Sequence, residues 1–414
     1  MPEPQIVPKL RPIEIVVIPD DTHGRALMLR DTEGVASGAV VLPIRLAPVI
    51  IRFDGKRSLH EVASEASRSI GQAVTLSLVR KLVRELDEAL MLDTPRFRAK
   101  KREVVSAFTA ARVRPAAHAG GAYHGDASEL SRYIEIECVG KAPSRTPPGR
   151  IVALAAPHMD LWRAAAGYGH AYRALAEALD PAADTFVLLG TSHAPMRRPF
   201  AVCDKAFDTP LGALAPDGAF IAELEAASRF DVRADEYLHK QEHSLEFQAV
   251  FLKHLLGGRR ARIVPVLCGL GEAQERRRDP SRDAAAESFL SALYEACMRR
   301  EGRVVVVAGA DMAHIGPRFG DAKAPGEREL SALEARDRAS LKLFVEREPR
   351  GFFDHVAEDL SVRRVCGLGP LYTLLRALPG GVTGELLHYA QCVDPEEGSV
   401  VSHGSLGFYA SEER

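Results

Sequence analysis

Four histidines stand where the chain can assemble chemistry. His158 lies in Pro157-His158-Met159-Asp160, His193 in Gly190-Thr191-Ser192-His193, and His314 in Asp311-Met312-Ala313-His314; each follows an apolar run by a few residues. His243, in Gln241-Glu242-His243-Ser244-Leu245-Glu246, opens an amphipathic stretch. Imidazole is a ligand for zinc, copper and iron, and two histidines with a third donor and open positions form a pattern of catalytic iron. One strand-end histidine more often only hydrogen-bonds its own loop. Three at three strand ends are harder to explain that way, because the fold gathers those ends. His158 and His193 are therefore read as ligands of one metal ion, iron favoured over copper or zinc. His243, Asp311 and His314 are read as catalytic residues and as candidates for a third ligand. His243 can serve as general base, since imidazole titrates near neutrality. Asp311 or Glu242 can orient an imidazole or complete the metal shell. His239, His254, His355 and His388 lack such a setting and are read as surface or packing residues.

These side chains need a scaffold that converges. From about residue 149, apolar runs at 151–156, 185–189, 262–268 and 303–308 alternate with helical stretches at 164–179, 244–256 and 284–299. Continuous β-branched runs between amphipathic helices indicate a sheet covered on both faces, an α/β architecture. Ligands in such sheets collect beyond the carboxyl ends of the strands. There is no GxGxxG after a strand, no GxxxxGK[ST] and no GxSxG, which argues against a nucleotide cradle or a hydrolase elbow. Cys366, before Gly367-Leu368-Gly369-Pro370, is read as a small buried apolar residue rather than a reactive thiol.

The first hundred residues have a different texture. Short strand-like runs at 13–18 and 26–29 flank the turn Pro19-Asp20-Asp21. Ser58-Leu59-His60-Glu61 spells a capping box, and Val79, Leu82, Val83 and Leu86 form a core-facing helical stripe. Arg96, Arg98, Lys100, Lys101, Arg102, Arg112 and Arg114, opposed only by Glu103, mark 98–114 as a solvated basic linker. The expected organisation is a small α+β domain over 1–97, that linker, and an α/β domain over 115–414.

With 414 residues, 46% hydrophobic and 27% charged, there is ample core for two or more domains. Fifty-four Lys+Arg against 56 Asp+Glu exclude a polybasic nucleic-acid or membrane-surface protein as the default. The N-terminus does not read as a signal peptide, and the greasiest stretch, 35–51, is broken by Pro43, Arg45 and Pro48. Six scattered cysteines without a CxxC pair read as reduced thiols of a cytoplasmic protein.

Two resemblances add to this reading. "DG" followed by "SLHEV" over residues 20–97 resembles a winged-helix, PqqD-like module, which implies peptide binding; its second helix is too charge-balanced to favour DNA. "APHMD", "LLGTSHAP", "FDTPLG", "HKQEHSLEFQAVFL", "IVPVLCG", "ADMAHIGPRFGD" and "CGLGPLYTLL" occur in order. Together they resemble the Memo family, known in prokaryotes as AmmeMemoRadiSam system protein B, over about 112–410. The resemblance implies the fold of class III extradiol (LigB-like) dioxygenases and a metal at His158 and His193. It also implies a radical-SAM protein and an AMMECR-type protein as partners, and His243 in the same pocket. In animal members a cysteine of an "SSDxCH" motif is taken as third ligand; Ala313 stands there, so the third ligand falls to His243, Asp311 or His314. A dioxygenase-like redox enzyme is the favoured function, and a peptide-binding scaffold that keeps the fold is the alternative.

Overall fold

A computed structural model describes residues 5–20, 24–271 and 277–411 and divides into two compact units, Met1–Ala110 and Ala111–Arg414. Asp21 of the expected first turn lies outside the described residues.

In the first unit, strands β1 (Glu14–Asp20), β2 (Gly24–Arg30) and β3 (Val40–Pro43) form an antiparallel sheet in that order. Leu27, Leu29 and Leu42 alternate onto a core shared with Val62 and Ala66 of helix Leu59–Ile70 and with Val79, Leu82 and Leu86 of helix Leu76–Glu88. The capping box is present. Ser58 Oγ accepts from Glu61 N while the Glu61 carboxylate accepts from Ser58 N at 2.7 Å.

The basic stretch departs from the expected linker. Residues Pro95–Ala110 form a 16-residue helix. Proline sits at its first position, where no intrahelical N–H bond is lost, and Thr94 Oγ1 accepts from Phe97 N. Phe97 and Phe108 are buried, and the charges find partners: Arg98 with Asp93, Lys100 with Glu103, Lys101 with Glu33. Counting charge alone missed those two phenylalanines, which anchor the helix. Arg114 is no linker residue either; it is fully buried in the second unit.

The second unit is built on a nine-stranded mixed sheet. Its parallel centre contains β5 (Arg150–Ala156), β6 (Thr185–Gly190), β10 (Arg262–Cys268) and β11 (Val304–Gly309), in the order β5-β11-β6-β10. β7 (Phe200–Val202), β9 (Ala215–Pro216), β12 (His314–Ile315), β13 (Thr383–Val393) and β14 (Val400–Ala410) complete the nine, while β4 (Val113–Arg114) and β8 (Ala206–Phe207) pair in a separate two-stranded sheet. β14 lies antiparallel to β5 and carries β12 and β13, while β7 is antiparallel to β10. Helices Ala165–Ala178, His243–Leu256, Ala284–Met298 and Leu368–Ala377 cover the sheet with largely buried faces. After Arg150, Thr185 and Arg262 at their starts, the central strands are apolar because both faces are covered.

Candidate metal centre

Register brings the site together. Gly309 of β11 aligns with Ala156 of β5 on one side and with Gly190 of β6 on the other. The loops carrying His158, His193 and Asp311 therefore leave the sheet at one level. Gly190 and Gly309 do the rest, because a Cβ at Gly190 would sit 2.4 Å from Ser244 Oγ and one at Gly309 only 2.3 Å from Ser244 O. Both close approaches require glycine and let helix His243–Leu256 begin directly over the strand ends.

That helix binds each loop it covers. Ser244 Oγ donates to Thr191 O at 2.9 Å, beside His193, and Gln248 Nε2 donates to Pro157 O at 2.9 Å, beside His158. Glu246, fully buried, pairs with Arg114 and accepts from Tyr123 Oη, Ala117 N and His118 N. The segment before β5 is thereby laid against the helix, with the His118 ring edge-on to His243 at 5.6 Å.

Three imidazoles meet here. One nitrogen from each of His158, His193 and His243 lies within 4.8 Å of the other two. His158 Nδ1 sits 3.0 Å from Gly309 O; a carbonyl only accepts, so Nδ1 carries a hydrogen and Nε2 is the nitrogen that offers its lone pair to an ion once its own proton is displaced. His193 Nδ1 lies 3.0 Å from both Glu242 oxygens, which leaves its Nε2 free as well. Glu242 also accepts from the backbone N–H groups of His193 and Ser244, both at 2.9 Å. His243 stacks on His193 at 4.5 Å, and its Nδ1 lies 3.5 Å from Glu242. His158 is buried, whereas the His193 and His243 side chains are 34% and 28% exposed, so the triangle has one open side.

A thiol and a carboxylate close the inner side. Cys366 Sγ lies 3.3 Å from His158 Nε2. Asp311 Oδ1 accepts from His158 N at 2.9 Å, and its Oδ2 is 3.6 Å from His158 Nε2. Burial works against a Cys366 thiolate, but His158 and His314 beside it outweigh burial and bring the thiol down to about 5. Conversely, burial opposes charge on His158, yet Cys366 and Asp311 hold it up at about 9. His243 is held well below the usual histidine range by burial and by the neighbouring His193. Burial would raise Glu242, but His193 and His243 keep it well below the usual carboxylate range.

These residues fit a metal ion. Two imidazoles are locked in the tautomer that ligates, a third stacks beside them, and a thiolate-forming cysteine adjoins. Bonds of about 2.0–2.1 Å need ligand nitrogens about 3.3 Å apart in tetrahedral geometry, and the three nitrogens lie within 4.8 Å of one another. Fixed second-sphere partners on His158 and His193 are what an imidazole ligand requires.

The structure corrects several expectations. Of the three third-ligand candidates, His243 joins the imidazole triangle. His314 does not: its Nδ1 lies 3.2 Å from Met312 O and from Arg364 O, and its ring is edge-on to Phe319. Ala313 is not a vacant ligand position, for it is buried in a small apolar cluster with Leu333 and Val400. The thiol of the site is Cys366, which was read as inert packing. Asp160 caps its own turn, accepting from Arg163 N and pairing with Arg163 Nε. His118 carries a structural duty that its sequence context did not single out, whereas Glu242 takes the orienting place offered to it, on His193.

Comparison with known proteins agrees with the motif reading. A family model described as Memo-like protein matches residues 114–407. The chain is 28% identical to a MEMO1 family protein of Aquifex aeolicus over 389 residues, 94% of this chain and 97% of that protein. It is 29% identical to a MEMO1 family protein of Thermococcus kodakarensis over 63% of this chain and 87% of the relative. A Thermus thermophilus MEMO1 family protein is 28% identical over 80% and 94%, respectively. Because the Aquifex match covers 94% of this chain, it extends well into the first unit. An uncharacterized protein of Escherichia coli K12 is similar at a TM-score of 0.34 and 15% identity, over 62% of this chain and 99% of that one.

Proposed function

This chain belongs to the Memo-like protein family, and we propose that its second unit is a mononuclear metal protein with dioxygenase-like redox chemistry. The observation that carries the reading is the trio His158, His193 and His243, with ligand atoms within 4.8 Å and two tautomers fixed by Gly309 O and Glu242. Cys366 and Asp311 are the adjoining donors. Iron is the first choice of ion, which when bound would supply redox and Lewis-acid chemistry at the open side. The chain's own residues do the positioning: Glu242 orients His193, Gly309 orients His158, and helix His243–Leu256 holds both loops. A LigB-like ancestry of the fold, a cytoplasmic setting, and partnership with a radical-SAM protein and an AMMECR-type protein belong to the same proposal. The first unit would then act as a PqqD-like peptide-docking module, with its three-stranded sheet as the docking element.

Metal analysis of full-length protein purified without oxygen tests the centre. About one equivalent of iron, lost in His158→Ala, His193→Ala and His243→Ala, is expected. Unchanged metal content in His193→Ala would overturn the assignment. Oxygen uptake with catechol-type substrates by the iron-loaded chain tests the redox reading.

A further inference from the structure

Helix His243–Leu256 holds the His158 and His193 loops, but residues 311–313 make no hydrogen bond to it among the described residues. Their anchor is Ser402 of β14. Met312 N donates to Ser402 O at 2.7 Å, Ser402 N to Ala313 O at 2.9 Å, and Ala313 N to Ser402 Oγ at 2.9 Å. The Ser402 hydroxyl proton goes the other way, to Asp337 Oδ2 at 2.6 Å. A carboxylate only accepts, so the direction of this chain is fixed, from Ala313 N–H to Ser402 Oγ and from Ser402 O–H to Asp337. Hydrogen bonds to an ionised acceptor are the strong ones. Asp337 is fully buried in helix Glu327–Val345, on the face that carries Leu333 and Leu341 into the core. Arg363 Nη1 donates to its Oδ1 at 2.8 Å and Tyr389 Oη to its Oδ2 at 3.0 Å. A carboxylate on such a face is costly to bury, and an apolar residue of similar volume often serves stability as well. What the carboxylate adds is a fixed Ser402 hydroxyl, and with it a fixed backbone at 312–313. One residue further on lies the site. Asp311 Oδ1 accepts from His158 N at 2.9 Å, and Asp311 O accepts from Gly367 N at 3.1 Å, beside Cys366. Gly367 is pressed so close that a Cβ there would lie 2.4 Å from Asp311 O. A shift of 311–313 therefore displaces both the carboxylate on His158 and the backbone that carries Cys366.

We propose that Ser402 and Asp337 are the positioning pair for the inner side of the metal centre: Asp337 orients the Ser402 hydroxyl, the hydroxyl fixes Ala313 N, and the segment so held sets where Asp311 meets His158. Neither residue hydrogen-bonds an imidazole of the triangle. Glu242 does for His193 by direct contact what this pair does for Asp311 at one remove. The consequence for a bound ion rests on the metal-centre reading; the placement of Asp311 rests on the hydrogen bonds alone.

Amide hydrogen exchange of the full, metal-free chain tests the placement, read by mass spectrometry at the peptide containing His158, whose N–H is covered by Asp311. Ser402→Ala should speed that exchange about tenfold, the effect of one net hydrogen bond on a local opening, and Asp337→Asn should do the same. Ser402→Ala removes a single oxygen and decides alone if Asp337→Asn does not fold. Tyr389→Phe is the control. It removes a bond to the same Asp337 oxygen but none to 311–313, and should leave His158 exchange within about twofold of the parent. Cobalt(II) loading gives the second readout: the visible bands of Ser402→Ala should shift from those of the parent, whereas Tyr389→Phe should superimpose on it. Parental His158 exchange in Ser402→Ala, equal acceleration in Tyr389→Phe, or an unchanged spectrum in a Ser402→Ala chain that binds cobalt would overturn the proposal. A parent that takes up no cobalt, while Ser402→Ala still exposes His158, would refute the metal centre and leave the positioning pair standing.

Discussion

Substituting Glu242 with glutamine tests the whole arrangement with one atom. The carboxylate is 4% exposed and faces three N–H donors: His193 Nδ1, His193 N and Ser244 N. Both oxygens can accept, so all three are satisfied. Glutamine keeps one acceptor and turns an NH2 group toward a donor, which loses one charge-assisted bond and leaves an N–H unpaired, a cost of about 1.5–3 kcal/mol. The His193 ring then loses its fixed tautomer. Loss of a second-sphere partner typically lowers metal affinity by about 10–100-fold, or about 1.4–2.7 kcal/mol. Competition of zinc between the full chain and a chromophoric chelator measures this directly, with His60→Ala, an exposed histidine of the first unit, as control. A Glu242→Gln protein that melts normally and binds zinc within twofold of the parent would refute the claim that His193 is a ligand oriented by Glu242.

Four further outcomes follow from named contacts. In metal-free protein, iodoacetamide should label Cys366 at pH 6.5, because its thiolate persists until the pH falls to about 5; mass spectrometry should find the other five cysteines, all pushed up by burial, unlabelled, and bound metal should protect Cys366. Ala313→Cys should leave metal affinity unchanged and cost about 1–3 kcal/mol in thermal or urea denaturation, since it overfills the cluster with Leu333 and Val400. Arg114→Ala strands the buried Glu246 carboxylate and should cost about 3–5 kcal/mol by the same measurement. His239 is buried beside Arg114, and burial brings its pKa down to about 4 from 6.5. The unfolded chain takes that proton first, so stability is full above pH 6.5 and falls toward pH 4; about 2–3 kcal/mol of the loss by pH 4.5 should vanish in His239→Leu.

What the residues reveal in advance depends on how local the cause is. β10 over Arg262–Cys268 and helix Ala284–Met298 are legible from their apolar patterns, because burial on both faces or one face imprints a period on the chain. β14 is not. Val400–Ala410 is almost wholly buried yet contains Ser402, His403 and Ser405. Ser402 Oγ reaches Asp337, 65 positions away, and Ser405 Oγ reaches Gly167 O, 238 positions away; no periodicity announces partners so remote. Cys366 escaped for a similar reason. Its chemistry comes from His158, 208 positions earlier, and nothing in its own neighbourhood distinguishes it from packing. The basic stretch was misread in the opposite direction, since its charges are conspicuous and the buried Phe97 and Phe108 that order it are sparse.

The three histidine loops that follow apolar runs looked equivalent, yet the helix that His243 opens decides which of them count. Helix His243–Leu256 contributes His243 itself, holds the His193 loop through Ser244 and Glu242, and holds the His158 loop through Gln248. Its polar groups at 244, 246 and 248 are fully buried, and each has a partner outside the helix. Tyr172 Oη in turn donates to Gln248 Oε1 at 2.8 Å, which settles the orientation of that amide. Buried polar groups satisfied in this way rigidify what they join. His314 has no bond to this helix; carbonyl oxygens of its own neighbourhood hold it, and it falls outside the triangle. Membership in the site is thus set by attachment to the helix rather than by position at a strand end. The imidazoles are therefore held close by the protein's own hydrogen bonds, and an ion entering them meets ligands already oriented.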